Sequence, residues 1–136
     1  MSKSFVWPIR IYYEDTDAAG IVYHARYLHF AERARTEMLR VMDFDHRRLR
    51  QDFDLVFAVA RCELAFKRPA VLDDALEVRT IVLDQAGARI ELAQDVYRGG
   101  ERLCDVSVRL ACLDSQLRPK RLPACLATAF QEYVVE

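Results

Sequence analysis

The stretch from Ala25 to about Met42 is the sequence feature that most restricts the possible folds. Apolar side chains recur there at positions i, i+4, i+7, i+11 and i+14, which is the spacing of one helix face. They are Tyr27, Ala31, Ala34, Met38 and Val41. Leu28, Phe30 and Leu39 widen this stripe. The pattern predicts one long helix that is covered on more than one side.

The other apolar stretches alternate with period two, which predicts strands. "FVWPIRIYY" precedes the helix, with Ile9, Ile11 and Tyr13 on one side, and Pro8 near its start suits an edge or an entry position. Four alternating stretches follow the helix: "VARCELAFK", "ALEVRTIVL", "ARIELAQDVY" and "RLCDVSVRLACL". Residues 124–133 fit a short terminal helix.

The element order indicates an α+β fold, because one strand and one helix are followed by four strands. Short turns between those four strands predict antiparallel neighbours. The helix and the sheet must bury each other's apolar faces, so we expect an antiparallel sheet wrapped around one long central α-helix. A single sheet leaves edges and part of the helix uncovered, which favours a dimer.

The composition is that of an ordinary globular domain. A chain of 136 residues fits one domain, and a net charge of −1 gives no overall field to attract nucleic acid or an anionic membrane. No apolar run is long enough to predict a membrane span. The start "MSKSFVWPIR" lacks a secretory pattern, so we expect a cytoplasmic protein. The wide spacing of the four cysteines suggests neither a zinc site nor a disulfide framework. Three of them lie in apolar, strand-like stretches, which predicts buried, inert thiols.

Three acids crowd the segment "EDTDAAG", residues 14–20, just before the helix. A helix N-terminus offers unpaired N–H groups and a partial positive charge, which suit a carbonyl oxygen that becomes negative. Asp17 is placed to attack such a carbonyl or to activate a water, with Glu14 and Asp15 in support. His24 would position the carbonyl or the water, or stabilise the developing charge.

Structural interpretations of the same residues stay open at this point. Asp15 and Asp17 suit a turn or a helix cap, and His24 suits a satisfied structural histidine. His29 follows His24 by five residues, so no helical metal pair forms. His46 and the arginines around it are expected to be solvated.

The run "YYEDTDAAGIVYHARYLHFAERARTEML" resembles the signature of the 4-hydroxybenzoyl-CoA thioesterase family. More narrowly it resembles the YbgC-type branch, which is linked to the Tol–Pal cell-envelope system. "WPIRIYYEDTD", "LDDALEV" and "RLP" extend the resemblance over almost the whole chain. It implies a single hotdog thioesterase domain over residues 1–136, in which a sheet wraps one long helix.

The resemblance also implies roles for individual residues. Asp17 matches the catalytic carboxylate, as nucleophile or general base, and His24 of "VYH" matches the second catalytic residue. Backbone N–H groups near Tyr23 and His24 would polarise the thioester carbonyl. The branch often has two glycines where Ala19 and Gly20 stand here. The implied substrate-binding residues are Tyr13, Gly20, Val22, Tyr23, Arg68, Lys120 and Arg121.

The implied activity is hydrolysis of acyl-CoA, or of acyl carrier protein thioesters, to free acid and thiol. The resemblance implies no metal and no cofactor, coenzyme A being part of the substrate. It also implies a homo-oligomer, a dimer or a tetramer, with active sites at subunit interfaces. Two alternatives remain: a hotdog acyl-thioester dehydratase, and a non-catalytic module that binds acyl thioesters or acyl carrier protein. Asp17 separates the binding module from the hydrolase, because a binding module has no need of it. Release of free thiol with an unchanged acyl chain separates the dehydratase.

Overall fold

The predicted order of one strand, one long helix and four further strands is present, with one helix added. The computed structural model describes residues 3–135. The elements are β1 (Phe5–Arg10), a 3-10 turn (Tyr13–Asp15), α1 (Arg26–Val41), α2 (His46–Phe53), β2 (Val56–Phe66), β3 (Ala75–Ala86), β4 (Arg89–Arg98), β5 (Glu101–Leu113) and α3 (Ala124–Gln131). The α+β class is therefore confirmed.

The five strands form one antiparallel sheet in the order β1-β3-β4-β5-β2. β1 is an edge strand, which is one of the two positions that Pro8 suits. The expectation that β2 and β3 are neighbours is wrong, because β2 pairs with β5. The link between them bends across the end of β5, where the N–H groups of Lys67 and Arg68 donate to the Leu103 carbonyl at 2.8 and 3.1 Å.

The helix α1 supplies much of the core. Its buried side chains are Tyr27, Phe30, Ala31, Ala34, Met38 and Leu39. Two residues of the predicted stripe are instead exposed, Leu28 by 44% and Val41 by 62%. Val41 ends the helix, and the chain turns away through Asp43 in the left-handed region (φ 64°). The apolar face of α1 is thus narrower than the sequence suggests.

A buried polar bridge joins α1 to the sheet. The Gln94 side-chain nitrogen donates to the Ala31 carbonyl at 3.0 Å and to the Thr80 hydroxyl at 3.1 Å. The Gln94 oxygen accepts from Arg35 Nη1 at 2.9 Å. Gln94 and Thr80 are fully buried. Since buried polar groups are costly when unpaired, this bridge fixes the position of α1 over β3 and β4.

The helix α2 was not predicted from the sequence. The Asp45 side chain caps it by accepting from the Arg48 N–H at 2.7 Å, and Asp54 ends it in the left-handed region. Leu49 is its buried residue. The arginine-rich run hides the helical period, although the capping Asp45 is a readable signal. The terminal helix α3 confirms the expected short helix, and no helix within residues 3–135 has the length and hydrophobicity to cross a membrane.

The cysteines are free, and those in β5 are the inert thiols that the sequence predicts. Burial raises the pKa of Cys104 to about 12 and that of Cys112 to about 11. Cys62 is half-buried, and burial raises its pKa as well. Cys125 is exposed on α3.

Replacement of Gln94 by Met tests the polar bridge. The side chains are similar in volume, but Met leaves the Thr80 hydroxyl and one Arg35 N–H without their partner. We expect the free energy of unfolding to fall by about 2–3 kcal/mol in urea denaturation. The control is Gln116→Met at an exposed position, which should change it by less than about 0.5 kcal/mol. Equal stability of the two variants would contradict the bridge.

Candidate active site

The segment from Thr16 to Val22 closes into a narrow loop just before α1. The Asp17 N–H donates to the Ile21 carbonyl at 2.9 Å, and the Gly20 N–H donates to the Asp17 carbonyl at 2.9 Å. Gly20 has a φ of 81°, which residues with a side chain rarely adopt. This closure holds the Asp17 side chain at a defined place at the entrance to the helix.

The departure from the two-glycine pattern of the family is harmless to the backbone. Of the residues of this loop, Gly20 is the one with a positive φ, and Ala19 is not in the left-handed region. Ala19 therefore adopts its conformation without the cost that a side chain has at positive φ. Its N–H donates to Asp17 Oδ1 at 2.9 Å.

Asp15 organises the loop from inside the protein. It is buried, and its Oδ2 accepts from the Tyr12 N–H at 2.8 Å. Its Oδ1 lies 3.6 Å from Arg26 Nε, and its carbonyl accepts from the Tyr23 N–H at 2.8 Å. Both oxygens of this carboxylate are occupied, which agrees with the supporting role expected for it.

The N-terminus of α1 presents unpaired N–H groups beside the loop. The Tyr23 N–H donates to the Asp15 carbonyl, and the Val22 N–H donates to the Ala70 carbonyl at 2.9 Å. Within residues 3–135, the N–H groups of His24 and Ala25 donate to no protein acceptor. Of the two N–H groups expected to polarise a carbonyl, that of His24 is therefore the one available.

A cavity of about 350 Å³ opens between this loop, α1 and the end of β2. Its lining residues are Asp17, Ile21, Val22, His24, Tyr27, Phe66, Lys67, Arg68 and Pro69. Four residues of the sequence-based site are thus brought together: Asp17, Val22, His24 and Arg68. Within the described residues, no three His, Cys, Asp or Glu side chains form a metal-binding group.

Five residues of the cavity wall are not in the sequence-based site: Ile21, Tyr27, Phe66, Lys67 and Pro69. The Phe66 ring packs edge-on against Tyr27 at 5.5 Å and against His24 at 6.4 Å, both between ring centroids. Burial raises the pKa of Tyr27, so its hydroxyl stays neutral at physiological pH. No local signal identifies Phe66, because β2 reaches the helix entrance only through its pairing with β5.

Three other predicted binding residues lie near the loop without lining the cavity. Tyr13 is 82% exposed in the 3-10 turn, so its expected place on the face of Ile9 and Ile11 is wrong. The strand ends at Arg10, before Tyr13 is reached. Gly20 supports the loop, and the Tyr23 ring packs against His24 at a tilt of 55°, with centroids 4.6 Å apart.

Lys120 and Arg121 lie away from the cavity in this chain. Lys120 Nζ donates to the carbonyls of Phe53 and Asp54, at the C-terminus of α2. Its backbone N–H donates to the Cys112 carbonyl in β5. Cys112 is nine residues from Leu103, whose carbonyl accepts from the cavity residues Lys67 and Arg68. That spacing corresponds to about 30 Å. The expected phosphate grip by these two residues is therefore not formed within one chain.

An ion-pair network holds the segment on which the loop docks. Arg98 contacts Asp74 at 2.7 Å, Glu101 at 2.6 Å and the Pro69 carbonyl at 3.3 Å. Glu101 also binds Arg68 at 2.7 Å. The network ties the start of β5 to residues 68–74, whose Ala70 carbonyl receives the Val22 N–H. It therefore stabilises one wall of the cavity.

Asp74 makes this network dependent on pH. Burial opposes its ionisation, but hydrogen bonds from the Val71 N–H and from Arg98 outweigh burial and lower its pKa below 3.8. A lowered pKa contributes stability above the unfolded-state value, and that contribution is lost as the pH falls through the folded-state value.

We expect Asp74→Asn to lower the free energy of unfolding by about 1–2 kcal/mol at neutral pH. The difference from the wild type should narrow as the pH falls below 3.8, where the wild-type carboxyl also becomes neutral. Urea denaturation across this pH range measures it. The exposed pair of Asp84 and Arg89, 3.2 Å apart, supplies the control Asp84→Asn, with an expected change below about 1 kcal/mol. A loss that is independent of pH would contradict the assignment.

The fold is that of known thioesterase structures. A probable thioesterase from Bartonella henselae has a TM-score of 0.85 and 36% identity, over 89% of this chain and 100% of that chain. A 1,4-dihydroxy-2-naphthoyl-CoA thioesterase from Synechocystis has a TM-score of 0.87 at 20% identity, over 95% of this chain and 96% of that chain, and shows the fold alone. The hotdog fold is confirmed.

The sequence comparisons give the family. The model of the thioesterase-like superfamily matches residues 12–130. The acyl-CoA thioesterase YbgC of Haemophilus influenzae is 42% identical over 131 residues, 96% of each chain. The acyl-CoA thioester hydrolase YbgC of Escherichia coli O6:H1 is 38% identical, over 94% of this chain and 96% of its own. The chain belongs to the thioesterase-like superfamily, and its resemblance to the YbgC branch is confirmed.

Proposed function

We propose that this protein hydrolyses acyl-CoA thioesters to a free acid and coenzyme A. The observation that carries the proposal is that Asp17 and the unpaired N–H of His24 meet at one cavity, at the N-terminus of α1. The relatives named above as acyl-CoA thioesterases support the same activity.

The thioester carbonyl oxygen would accept a hydrogen bond from the His24 N–H, with the Ala25 N–H beside it. The partial positive charge of the α1 terminus stabilises the negative oxygen of a tetrahedral intermediate. Collapse of that intermediate breaks the C–S bond, and the thiolate leaves. A thiolate is a good leaving group, so this arrangement needs no Ser-His-Asp triad.

Asp17 would act on the carbonyl carbon from the opposite side. Its Oδ1 is held by the Ala19 N–H, and within residues 3–135 its other oxygen has no hydrogen-bond partner. As general base, that oxygen takes a proton from the attacking water and returns it to the departing thiolate. As nucleophile, it forms an anhydride that water then cleaves. Both routes consume one water and yield acid and thiol.

The His24 side chain would orient the thioester. It is exposed at the cavity, in tilted contact with Tyr23 and edge-on to Phe66. Lys67 and Arg68 line the same cavity and are the candidates to bind the phosphates of coenzyme A. We propose no metal and no separate cofactor, because the carboxylate and the N–H groups supply the required base and charge stabilisation.

We propose a homo-oligomer, a dimer or a homotetramer, in which β2 pairs with a second copy. β2 is an edge strand of 11 residues with an exposed, partly apolar surface, which proteins normally cover. Such pairing would bring the cavity at Phe66 to the subunit interface. The proposal also includes a single domain over residues 1–136, a cytoplasmic location, acyl carrier protein as a second carrier, and a link to the Tol–Pal system.

Thiol release from a panel of acyl-CoAs tests the activity. Asp17→Asn is nearly isosteric but cannot act as base or nucleophile. We expect kcat to fall by about 10²–10⁴-fold for every substrate that the wild type hydrolyses. The matched control is Asp52→Asn on α2, whose carboxylate lies 3.6 Å from Arg48 and away from the cavity.

Product analysis separates the alternatives. A hydrolase releases free thiol and leaves the acyl chain intact, whereas a dehydratase changes the chain and keeps the thioester. A binding module binds acyl-CoA without turnover in either protein. Full turnover by Asp17→Asn would overturn the proposed mechanism.

The N–H of His24 can be tested separately from its ring. His24→Ala removes the ring and keeps the N–H, whereas His24→Pro removes both. Because one donor to a developing oxyanion is worth about 10²–10³-fold in kcat, we expect His24→Pro to be slower than His24→Ala by that factor. Steady-state kinetics and melting curves are measured together, since proline is tolerated at the start of a helix. Equal kcat values would assign the function of this residue to its ring.

A further inference from the structure

One side of β2 faces the helix layer but is not covered by it. Directly paired residues of neighbouring strands point to the same side of a sheet. The β5 residues on this side are buried: Cys104, Val106, Val108, Leu110 and Cys112. Their β2 partners, which we name the β2 strip, are Phe66, Leu64, Cys62, Val59 and Phe57. The strip is only partly covered, with Val59 52% and Phe66 53% exposed.

The β2 strip begins at the candidate active site and runs beside α1. Phe66 lines the cavity of Asp17 and packs on Tyr27, near the start of α1. At the other end, Phe57 shares a small cavity of about 30 Å³ with Met38, near the end of α1. An apolar surface thus leads from the thioester position along the helix, which is where an acyl chain can bury its methylene groups.

Arg35 stands at the far end of this surface. It lines the small cavity with Phe57 and Met38. It follows Tyr27 by eight residues, or about 12 Å along the helix axis. Arg35 therefore lies beside the Phe57 end of the strip.

The hydrogen-bonding capacity of Arg35 is largely unused. Its side chain is half-buried, and burial lowers its pKa. Nη1 donates to Gln94, and within residues 3–135 no carboxylate forms an ion pair with Arg35. A guanidinium has five N–H donors, and a partly desolvated cation without an anion is costly. The bridge to Gln94 explains one of these donors. The charge of Glu32 favours the Arg35 cation, but burial outweighs it, so the charge is only partly compensated.

We infer that Arg35 is a specificity-determining residue, which binds an oxygen at the far end of the acyl group. The preferred substrates would be acyl-CoAs that end in a carboxylate, with a terminal hydroxyl next in order. A carboxylate accepts two parallel N–H bonds from a guanidinium and neutralises its charge. A plain alkyl end of the same length would desolvate Arg35 without compensation. This inference rests on the proposed thioesterase activity.

The test compares matched pairs of substrates. Hexanoyl-, octanoyl-, decanoyl- and dodecanoyl-CoA are each paired with the ω-carboxyacyl-CoA of the same length, and kcat/KM is measured by thiol release. We expect the wild type to favour the ω-carboxy form by about tenfold or more at one length, with a lower KM. Arg35→Met should bring this ratio close to one, and Arg35→Lys should keep part of it. The control Arg33→Met, on the exposed face of α1, should keep the whole ratio.

The possible outcomes separate specificity from structure. If Arg35 only supports the fold, the wild type shows no preference at any length, and Arg35→Met merely lowers the melting temperature. Either an absent preference or one that survives Arg35→Met overturns the inference. Arg35→Gln replaces the Met variant if that variant does not fold, because glutamine still donates a hydrogen bond to Gln94.

Failure of the proposed function has a different signature, namely no hydrolysis of any ester by the wild type. The preference for the ω-carboxy form is then measured as a difference in affinity. Calorimetry gives the affinities of non-hydrolysable thioether analogues of the paired substrates. Tighter binding of the ω-carboxy analogue by the wild type, lost in Arg35→Met, supports the role of Arg35. Equal binding of both analogues overturns it.

Discussion

Burial of the apolar face of α1 against the antiparallel sheet is the interaction on which the rest of the structure depends. Side chains such as Phe30 and Met38 are almost fully buried, and each contributes roughly 2 kcal/mol by its removal from water. Hydrophobic burial has little directionality, so it does not by itself fix the position of α1 along the sheet. The bridge from Gln94 to the Ala31 carbonyl fixes that position, because a shift of α1 would leave buried polar groups unpaired. The helix entrance is therefore held in one place relative to the strands.

Two of the acids that crowd the segment before α1, Asp15 and Asp17, have different roles. Asp15 is buried and has partners for both oxygens, so it shapes the loop. Within residues 3–135, Asp17 accepts a hydrogen bond only at Oδ1, from the Ala19 N–H, and its side chain borders a cavity. Two carboxylates two residues apart thus differ in role because one is surrounded by donors and the other is left partly free. In the same loop, the Tyr23 N–H donates to the Asp15 carbonyl, and the His24 N–H stays available for a substrate.

The segment between β2 and β3 links stability to the site. It carries Lys67 and Arg68 at the cavity and receives the Val22 N–H at Ala70. The contacts of Arg98 with Asp74 and Glu101 hold it at the end of the sheet. Loss of these contacts is therefore expected to affect the geometry of the cavity as well as the free energy of unfolding. Arg35 differs from Arg98, because its side-chain partner among residues 3–135 is the Gln94 amide rather than a carboxylate in an ion pair.

The sequence by itself determined the features that depend on neighbouring residues. The helical period predicted α1 within one residue at each end, and alternation predicted the five strands. Pro8 indicated an edge or entry position in β1. Asp17 and His24 were brought together as candidates because they are close in the chain and flank one helix entrance. The helix α2 was missed, since its arginines carry no apolar period and only Leu49 is fully buried.

The tertiary structure alone decided which distant segments meet. Pairing of β2 with β5, rather than with β3, brings Phe66 and Lys67 to the helix entrance. The same pairing directs Lys120 to the carbonyls at the end of α2, about 30 Å away along β5. Strand order and the position of a basic side chain depend on contacts between residues far apart in the chain. Local periodicity carries no information about such contacts, which are set by the burial of α1 and the pairing of whole strands.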